Sequence, residues 1–308
     1  MKIKIQIFCL LIILNLFSCQ IRQNDRGDSV LVDFSNYDTS NQTNNLDDTV
    51  RKLNVAVAAI ISPRETFIYY QELFNYISEK INYHVDVRQR KTYDEINKML
   101  YNHEVDIAFI CSGAYTVAKE KSDIEILAVP VCNGKPFYQA YIITNKNSGI
   151  EKFEDFIGKT FAFTDPLSNS GKLYADKRLK DLNTPSDSFF VSTMFTHAHD
   201  ISIQLVSKMV VDGATVDGLI YDYLAAFYPE RVKNIKIIEK SEYFGIPPIV
   251  VPSNLDKGLK DQLKNIFLSL HNDSTGMKIL NTLLIDKFVE GNDADYNSIR
   301  QIQRIDIR

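Results

Sequence analysis

The chain has 308 residues, enough for one large domain or two lobes of ordinary size. Apolar residues make up 45%, sufficient for a substantial core, and a formal charge of −4 without a basic stripe argues against nucleic acid as a partner. Trp is absent, so 18 Phe and 16 Tyr carry the aromatic packing.

Lys2 and Lys4 precede an apolar run, Ile5 to Phe17, which is shorter than a membrane span needs and reads as an export signal. The run ends in Leu16-Phe17-Ser18-Cys19, which resembles the bacterial lipoprotein box. That resemblance implies removal of residues 1–18 and a lipidated Cys19. The protein would then be extracytoplasmic, tethered to a bacterial membrane in the periplasm or on the cell surface. A plain secretory signal with an incidental Cys fits the same residues. Only Cys111 and Cys132 then remain in the body, each in or beside an apolar run. Buried free thiols are expected there, with a disulfide left open. Residues 19–50 are rich in Asn, Asp and Ser and lack periodicity, as a flexible tether would.

From Leu53 onward strand and helix patterns alternate. Leu53–Ile61 is apolar apart from Asn54, as for a strand buried on both faces, and Ser62-Pro63-Arg64-Glu65 breaks it. Tyr70, Leu73, Phe74, Ile77 and Ile81 recur at helical spacing. A strand at His84–Arg88, a helix at Tyr93–Tyr101, a strand at Val105–Cys111, a helix from Ala114 and a strand at Ile124–Val131 follow. Gln139–Thr144 and Lys159–Thr164 read as strands and Ser170–Leu182 as a helix. Phe189–Met194 reads as a strand, Ile201–Val211 as a helix, and Val216–Tyr221 as a strand. Short strands at Ile235–Ile238 and Ile249–Val251 precede helices near Asp256–Leu270 and Thr275–Leu284, then a tail. This alternation is the signature of mostly parallel α/β sheets, here in two lobes, with no internal repeat in the sequence.

Between the strand Lys159–Thr164 and the helix after it lies Asp165-Pro166-Leu167-Ser168-Asn169-Ser170-Gly171. Small hydroxyl, amide and glycine residues opening a helix at a strand end are the geometry of an anion site. An ordinary Ser/Asn N-cap accounts for the same residues.

The order of motifs resembles the bacterial phosphate/phosphite/phosphonate-binding proteins that serve ABC importers. The resemblance runs over residues 53–304. It is carried by Lys91-Thr92-Tyr93-Asp94-Glu95, by Val105-Asp106-Ile107-Ala108-Phe109 and by Gly113-Ala114-Tyr115. Tyr138-Gln139-Ala140-Tyr141, Asn147-Ser148-Gly149-Ile150 and Phe156-Ile157-Gly158-Lys159 continue it. Asp165–Gly171, His199-Asp200 and Tyr296-Asn297-Ser298-Ile299-Arg300 complete it. It implies an α/β type II periplasmic binding fold, two lobes joined by a two-stranded hinge with ligand in the cleft. The first lobe would comprise 51–140 and a C-terminal return, 245–308, and the second lobe 141–244.

The resemblance implies that Ser168, Asn169, Ser170 and Gly171 grip a phosphorus oxyanion through hydroxyl and backbone N–H donors. Tyr93 and Tyr138 would approach from the first lobe, and His199 from the second. Asn169 stands where the family has Thr. Core packing is the alternative role for the tyrosines, and a helix N-cap for Asp222, which otherwise faces the cleft. His197 and His199 form a His-x-His pair, but no further Cys or His accompanies them at ligand spacing, so no metal is expected. Family members that bind aminoalkyl phosphonates carry carboxylates at positions aligning here with Leu224 and Pro247. Phosphate, phosphite or a small alkyl phosphonate is therefore expected. The function implied is an extracytoplasmic solute-binding lipoprotein of an ABC importer, monomeric and without cofactor, working with a membrane permease. A ligand-sensing lipoprotein and an enzyme on the same scaffold are the alternatives. The sequence holds no Gly-x-Ser-x-Gly, His-Glu-x-x-His or Cys–His pair to support catalysis.

Overall fold

The structure, a computed structural model, describes residues 51–304, with the backbone alone over 63–69. The export signal over 1–18, Cys19 and the tether over 19–50 lie outside the described residues.

Strand β1 (Lys52–Ala58) lies inside the sheet, paired on both sides, as its run, apolar apart from Asn54, requires. Helix α1 (Pro63–Ile81) begins at the proline expected to break the chain. At the first helical position its missing N–H costs nothing and its fixed φ suits the helix. Then come β2 (His84–Arg90) and α2 (Tyr93–Tyr101). A capping box opens α2: Thr92 Oγ1 accepts the Glu95 N–H, and the Glu95 carboxylate accepts the Thr92 N–H. The first lobe continues through β3 (Ile107–Phe109), α3 (Ser112–Lys121) and β4 (Ile124–Val131). The chain crosses over at β5 (Phe137–Tyr138) into β6 (Ala140–Asn145).

In the second lobe β7 (Thr160–Phe163) leads through the 165–171 loop to a π-helical turn (Asn169–Leu173) and α4 (Tyr174–Asp181). A short α5 (Ser186–Phe189), β8 (Ser192–Phe195), α6 (His199–Ser207) and β9 (Gly213–Asp217) follow. The strand expected at Val216–Tyr221 is a strand end and a helix start, because α7 (Gly218–Phe227) begins where Asp217 caps the Leu219 N–H at 2.8 Å. A continuous apolar run carries no period to separate the two. Then come α8 (Pro229–Val232) and β10 (Ile235–Lys240). The return passes through β11 (Phe244–Gly245) and β12 (Ile249–Pro252) to α9 (Lys257–Ser269) and α10 (Ser274–Thr282). The expected tail is structured: β13 (Lys287–Val289) extends the first sheet, and α11 (Asn297–Gln303) packs through buried Ile299 and Ile302.

The first sheet has the order β13-β4-β12-β3-β1-β2, with β1 parallel to β2 and β3 and with β12 inserted antiparallel between β3 and β4. The second has the order β10-β6-β9-β7-β8, with β7 parallel to β8 and β9 and with β6 inserted antiparallel between β9 and β10. The two lobes thus repeat one topology without a repeat in sequence. Between them β5 and β11 pair antiparallel, Tyr138 opposite Phe244. Ser241 Oγ accepts the Ala140 N–H at 2.8 Å and holds the two crossings together. One apolar cluster runs from Tyr93 and Tyr115 through Tyr138 and Phe244 to Phe163 and Tyr174, so the core passes through the crossing.

Candidate ligand-binding site

The elements place the 165–171 loop, the start of α6 and the end of β9 together, against the starts of α2 and α3 from the other lobe. Ser168 sits at the N-cap of the π turn, its Oγ accepting the Gly171 N–H at 3.0 Å. The ordinary cap is therefore present, and the Gly171 N–H is committed to it. Thr215 Oγ1 donates to the Ser170 carbonyl at 2.6 Å and pins the turn to β9. Gly171 is required by the close approach: a Cβ there would stand 2.5 Å from Thr164 Cβ and 2.8 Å from Ser168 Oγ. Gly113 does the same from the first lobe, lying directly under the Leu167 carbonyl.

Tyr93, Ser168, Asn169, Ser170 and His199 are fully buried, and Tyr138 is nearly so. Asn169 Nδ2 donates to the Tyr138 hydroxyl at 3.1 Å across the lobes. His199 Nδ1 accepts the Asp217 N–H at 3.0 Å and lies 3.0 Å from Thr164 Oγ1. Its proton therefore sits on Nε2, 3.5 Å from Ser168 Oγ. Burial pushes the imidazole down to about 3, so His199 is neutral at ordinary pH. Burial pushes the tyrosine hydroxyls at 93 and 138 far up, which keeps them protonated. The Tyr93 hydroxyl, Asn169 Oδ1 and Ser170 Oγ have no hydrogen-bond partner.

Two carboxylates of the second lobe reach helix starts of the first. Asp165 Oδ2 accepts the Tyr93 N–H at 3.1 Å, and its Oδ1 accepts the Leu167 N–H at 2.9 Å. Asp200 accepts the Ser62 N–H at 2.8 Å and the Ser62 hydroxyl at 2.7 Å, at the entry to α1. The His199 N–H donates to the Ile60 carbonyl at 3.0 Å. The lobes are therefore joined over the site.

Of the residues singled out in the sequence, Tyr93, Tyr138, Ser168, Asn169, Ser170, Gly171 and His199 come together. Asp222 is engaged elsewhere, within α7, where it accepts from the Tyr141 hydroxyl at 3.2 Å. Leu224 lies in the outer apolar cluster of the second lobe, so its alignment with a ligand-facing carboxylate does not hold. The carboxylate at that strand end is Asp217, 3% exposed and pushed up to about 7 by burial. Asp217 was missed because the strand was read too long; an Asp before Gly ahead of an apolar run is the N-cap signal that marks it. Cys111 and Cys132 are free and buried, with thiols pushed up by burial to about 11 and about 12. His197 lies 3.8 Å from Asp165, and among the described residues no cluster of three or more His, Cys, Asp or Glu is arranged to hold a metal. No helix among the described residues is long and apolar enough to cross a membrane.

A family model described as ABC transporter, phosphonate, periplasmic substrate-binding protein matches residues 55–296. The phosphonates-binding periplasmic protein of Escherichia coli (strain K12) is 30% identical over 212 residues, which are 67% of this chain and 62% of that relative. The chain therefore spans less than two thirds of that relative's length. A binding protein component of an ABC phosphonate transporter from Pseudomonas aeruginosa superposes with a TM-score of 0.78 at 26% identity, over 82% of this chain and 86% of that one. A Prochlorococcus marinus (MIT 9301) protein in complex with methylphosphonate has the same fold, with a TM-score of 0.76 at 16% identity over 82% of this chain and 97% of that one. Two α/β lobes of this topology, joined by paired crossing strands, form the type II periplasmic binding fold. The chain belongs to the family of ABC transporter phosphonate periplasmic substrate-binding proteins.

Proposed function

We propose that the protein is an extracytoplasmic solute-binding lipoprotein of an ABC importer. It binds a phosphorus oxyanion (phosphate, phosphite or a small phosphonate) between lobe 51–140 with 245–308 and lobe 141–244. Residues 1–18 are its signal, 19–50 its tether and Cys19 its lipid anchor. A membrane permease is its partner, it acts as a monomer, and it is not an enzyme.

The observation that carries the reading is the set of orphaned polar atoms, the Tyr93 hydroxyl, Asn169 Oδ1 and Ser170 Oγ, in fully buried side chains of both lobes. Buried polar groups are otherwise paired, and an oxyanion held at this seam would accept from the Tyr93 and Ser170 hydroxyls, one from each side. Neutral donors suffice for such a ligand, and a neutral His199 adds an N–H without burying a charge. A ligand bridging the lobes stabilises the joined form by its differential affinity for it.

A thermal-shift screen against phosphate, phosphite, sulfate, amino acids and several phosphonates tests this. A ligand at about 100 times its dissociation constant adds about 2.7 kcal/mol to stability. Stabilisation by a phosphorus ligand is expected; stabilisation by amino acids or sulfate alone would falsify the reading.

A further inference from the structure

Asn169 lies between two serines in the buried turn. Its Nδ2 donates to the Tyr138 hydroxyl at 3.1 Å, in the crossing strand β5, and that bond sets the orientation of the amide. Asn169 Oδ1 is left without a partner in a fully buried residue.

The geometry points to Asn169 Oδ1 as the acceptor for a proton on the ligand itself, so that the site selects a singly protonated phosphorus oxyanion over the dianion and over sulfate. This rests on the oxyanion reading and adds the protonation state to it. The donors are the Tyr93 and Ser170 hydroxyls and the His199 Nε2–H, with Ser168, whose oxygen already receives the Gly171 N–H, free to give its proton. Against these stands one acceptor. A P–OH monoanion offers acceptor oxygens and one O–H and satisfies both kinds. A dianion or sulfate would set lone pairs against a buried carbonyl oxygen, leaving both unsatisfied in a site closed to water. A Thr at this position would offer a hydroxyl that can turn either way; an amide held by Tyr138 cannot.

The titratable and charged groups around the turn are Tyr93, Tyr138, Cys111, His199, Asp165 and Asp217, with Lys172 in the turn itself, paired with Asp176, and His197 3.8 Å from Asp165. Burial keeps the two tyrosine hydroxyls and the thiol protonated and His199 neutral. Burial also raises the carboxyl of Asp165, and it pushes that of Asp217 up to about 7, in the range of a phosphonate's second ionisation. The experiment must separate the ligand's proton from the protein's. Calorimetric titration of the wild-type protein with methylphosphonate and with difluoromethylphosphonate does so, because fluorine lowers the ligand's second ionisation and leaves the protein unchanged. For each ligand the affinity is expected to fall about tenfold per pH unit above that ligand's own second ionisation. The fluorinated ligand therefore breaks at lower pH, and sulfate does not bind. A break at one pH for both ligands marks a protein group and overturns the proposal, as does affinity that rises when the dianion forms. Asn169→Thr is expected to flatten the ligand-dependent break; an unchanged break removes Asn169 from the role. If no phosphorus oxyanion binds at any pH, the oxyanion reading itself fails, and this inference with it.

Discussion

Two neighbouring strand ends of the second lobe begin alike and finish differently. β7 and β9 are parallel, with Phe161 opposite Gly213 and Ala162 opposite Ala214, and that register carried forward sets Asp165 level with Asp217. Both aspartates are buried at the mouth of a helix. After Asp217 the helix starts at once, and the carboxylate caps it. After Asp165 the chain first makes a short loop and a π-helical turn, and the carboxylate reaches across to the Tyr93 N–H. The inserted residues are the ones that carry the polar chemistry of the turn: two serines, an amide and a glycine. A few residues of delay before the helix convert a capping aspartate into a binding loop. π turns are common at functional sites for this reason, since they free side chains from the regular ladder.

Gly171→Ala strikes this difference hardest. Its Cβ would collide with Thr164, and overpacking of this kind costs about 1–3 kcal/mol. Oxyanion binding, read by calorimetry, is expected to be lost along with that stability in urea.

Asp165→Asn comes next. One N–H of the pair Tyr93 and Leu167 would then face an amide NH2, costing about 1–3 kcal/mol, and affinity should fall because the lobes are joined less firmly. The matching Asp217→Asn keeps an acceptor for the Leu219 N–H and should spare stability at neutral pH. Equal losses in the two variants would break the comparison.

The pH profile sharpens it further. His199 has a depressed folded pKa, about 3 against 6.5, so between those values the unfolded chain binds more protons and stability rises with pH. Asp217 has a raised folded pKa, about 7 against 3.8, so the folded chain binds more protons and stability falls as pH rises through that window. Over the shared range the two slopes oppose each other. Urea midpoints should therefore rise more steeply with pH in Asp217→Asn than in wild type, and His199→Gln should tilt the other way. Parallel profiles for the two variants would show that the groups do not differ as described.

The smallest effect belongs to Asp222→Ala. It removes one hydrogen bond to Tyr141, worth about 1 kcal/mol, and should leave phosphonate affinity unchanged.

The same two strand ends show what was legible in the sequence. The 165–171 loop could be read because Pro, Ser, Asn and Gly interrupt an apolar run and name a turn. Helix α2 could be read to the residue because Thr92 and Glu95 announce a capping box. The passage from β9 to α7 is harder to read, because Val216 to Tyr221 is apolar apart from Asp217-Gly218, the one N-cap signal within it. Reading it as strand throughout displaced the expected carboxylate from Asp217 to Asp222. Burial of Asp217 and its N–H bond to His199 depend on residues far apart in the chain, as does the orientation of the Asn169 amide. Neither has a local signature. The repeated strand order of the two lobes was hidden for a related reason, since topology is kept by pairing rather than by residue identity.

The aspartate bridges to α1 and α2 bear on time as well as on affinity. Helix starts that could have faced the ligand are spent on Asp200 and Asp165, so the seam is fastened by bonds in which the ligand takes no part. A ligand leaving the site must wait until those bonds break together. Its residence is then governed by the protein's own fastening, and a weakly gripped oxyanion can be carried as long as a tightly gripped one. Whatever receives the cargo has to unfasten the two helices, and it could do so without touching the ligand.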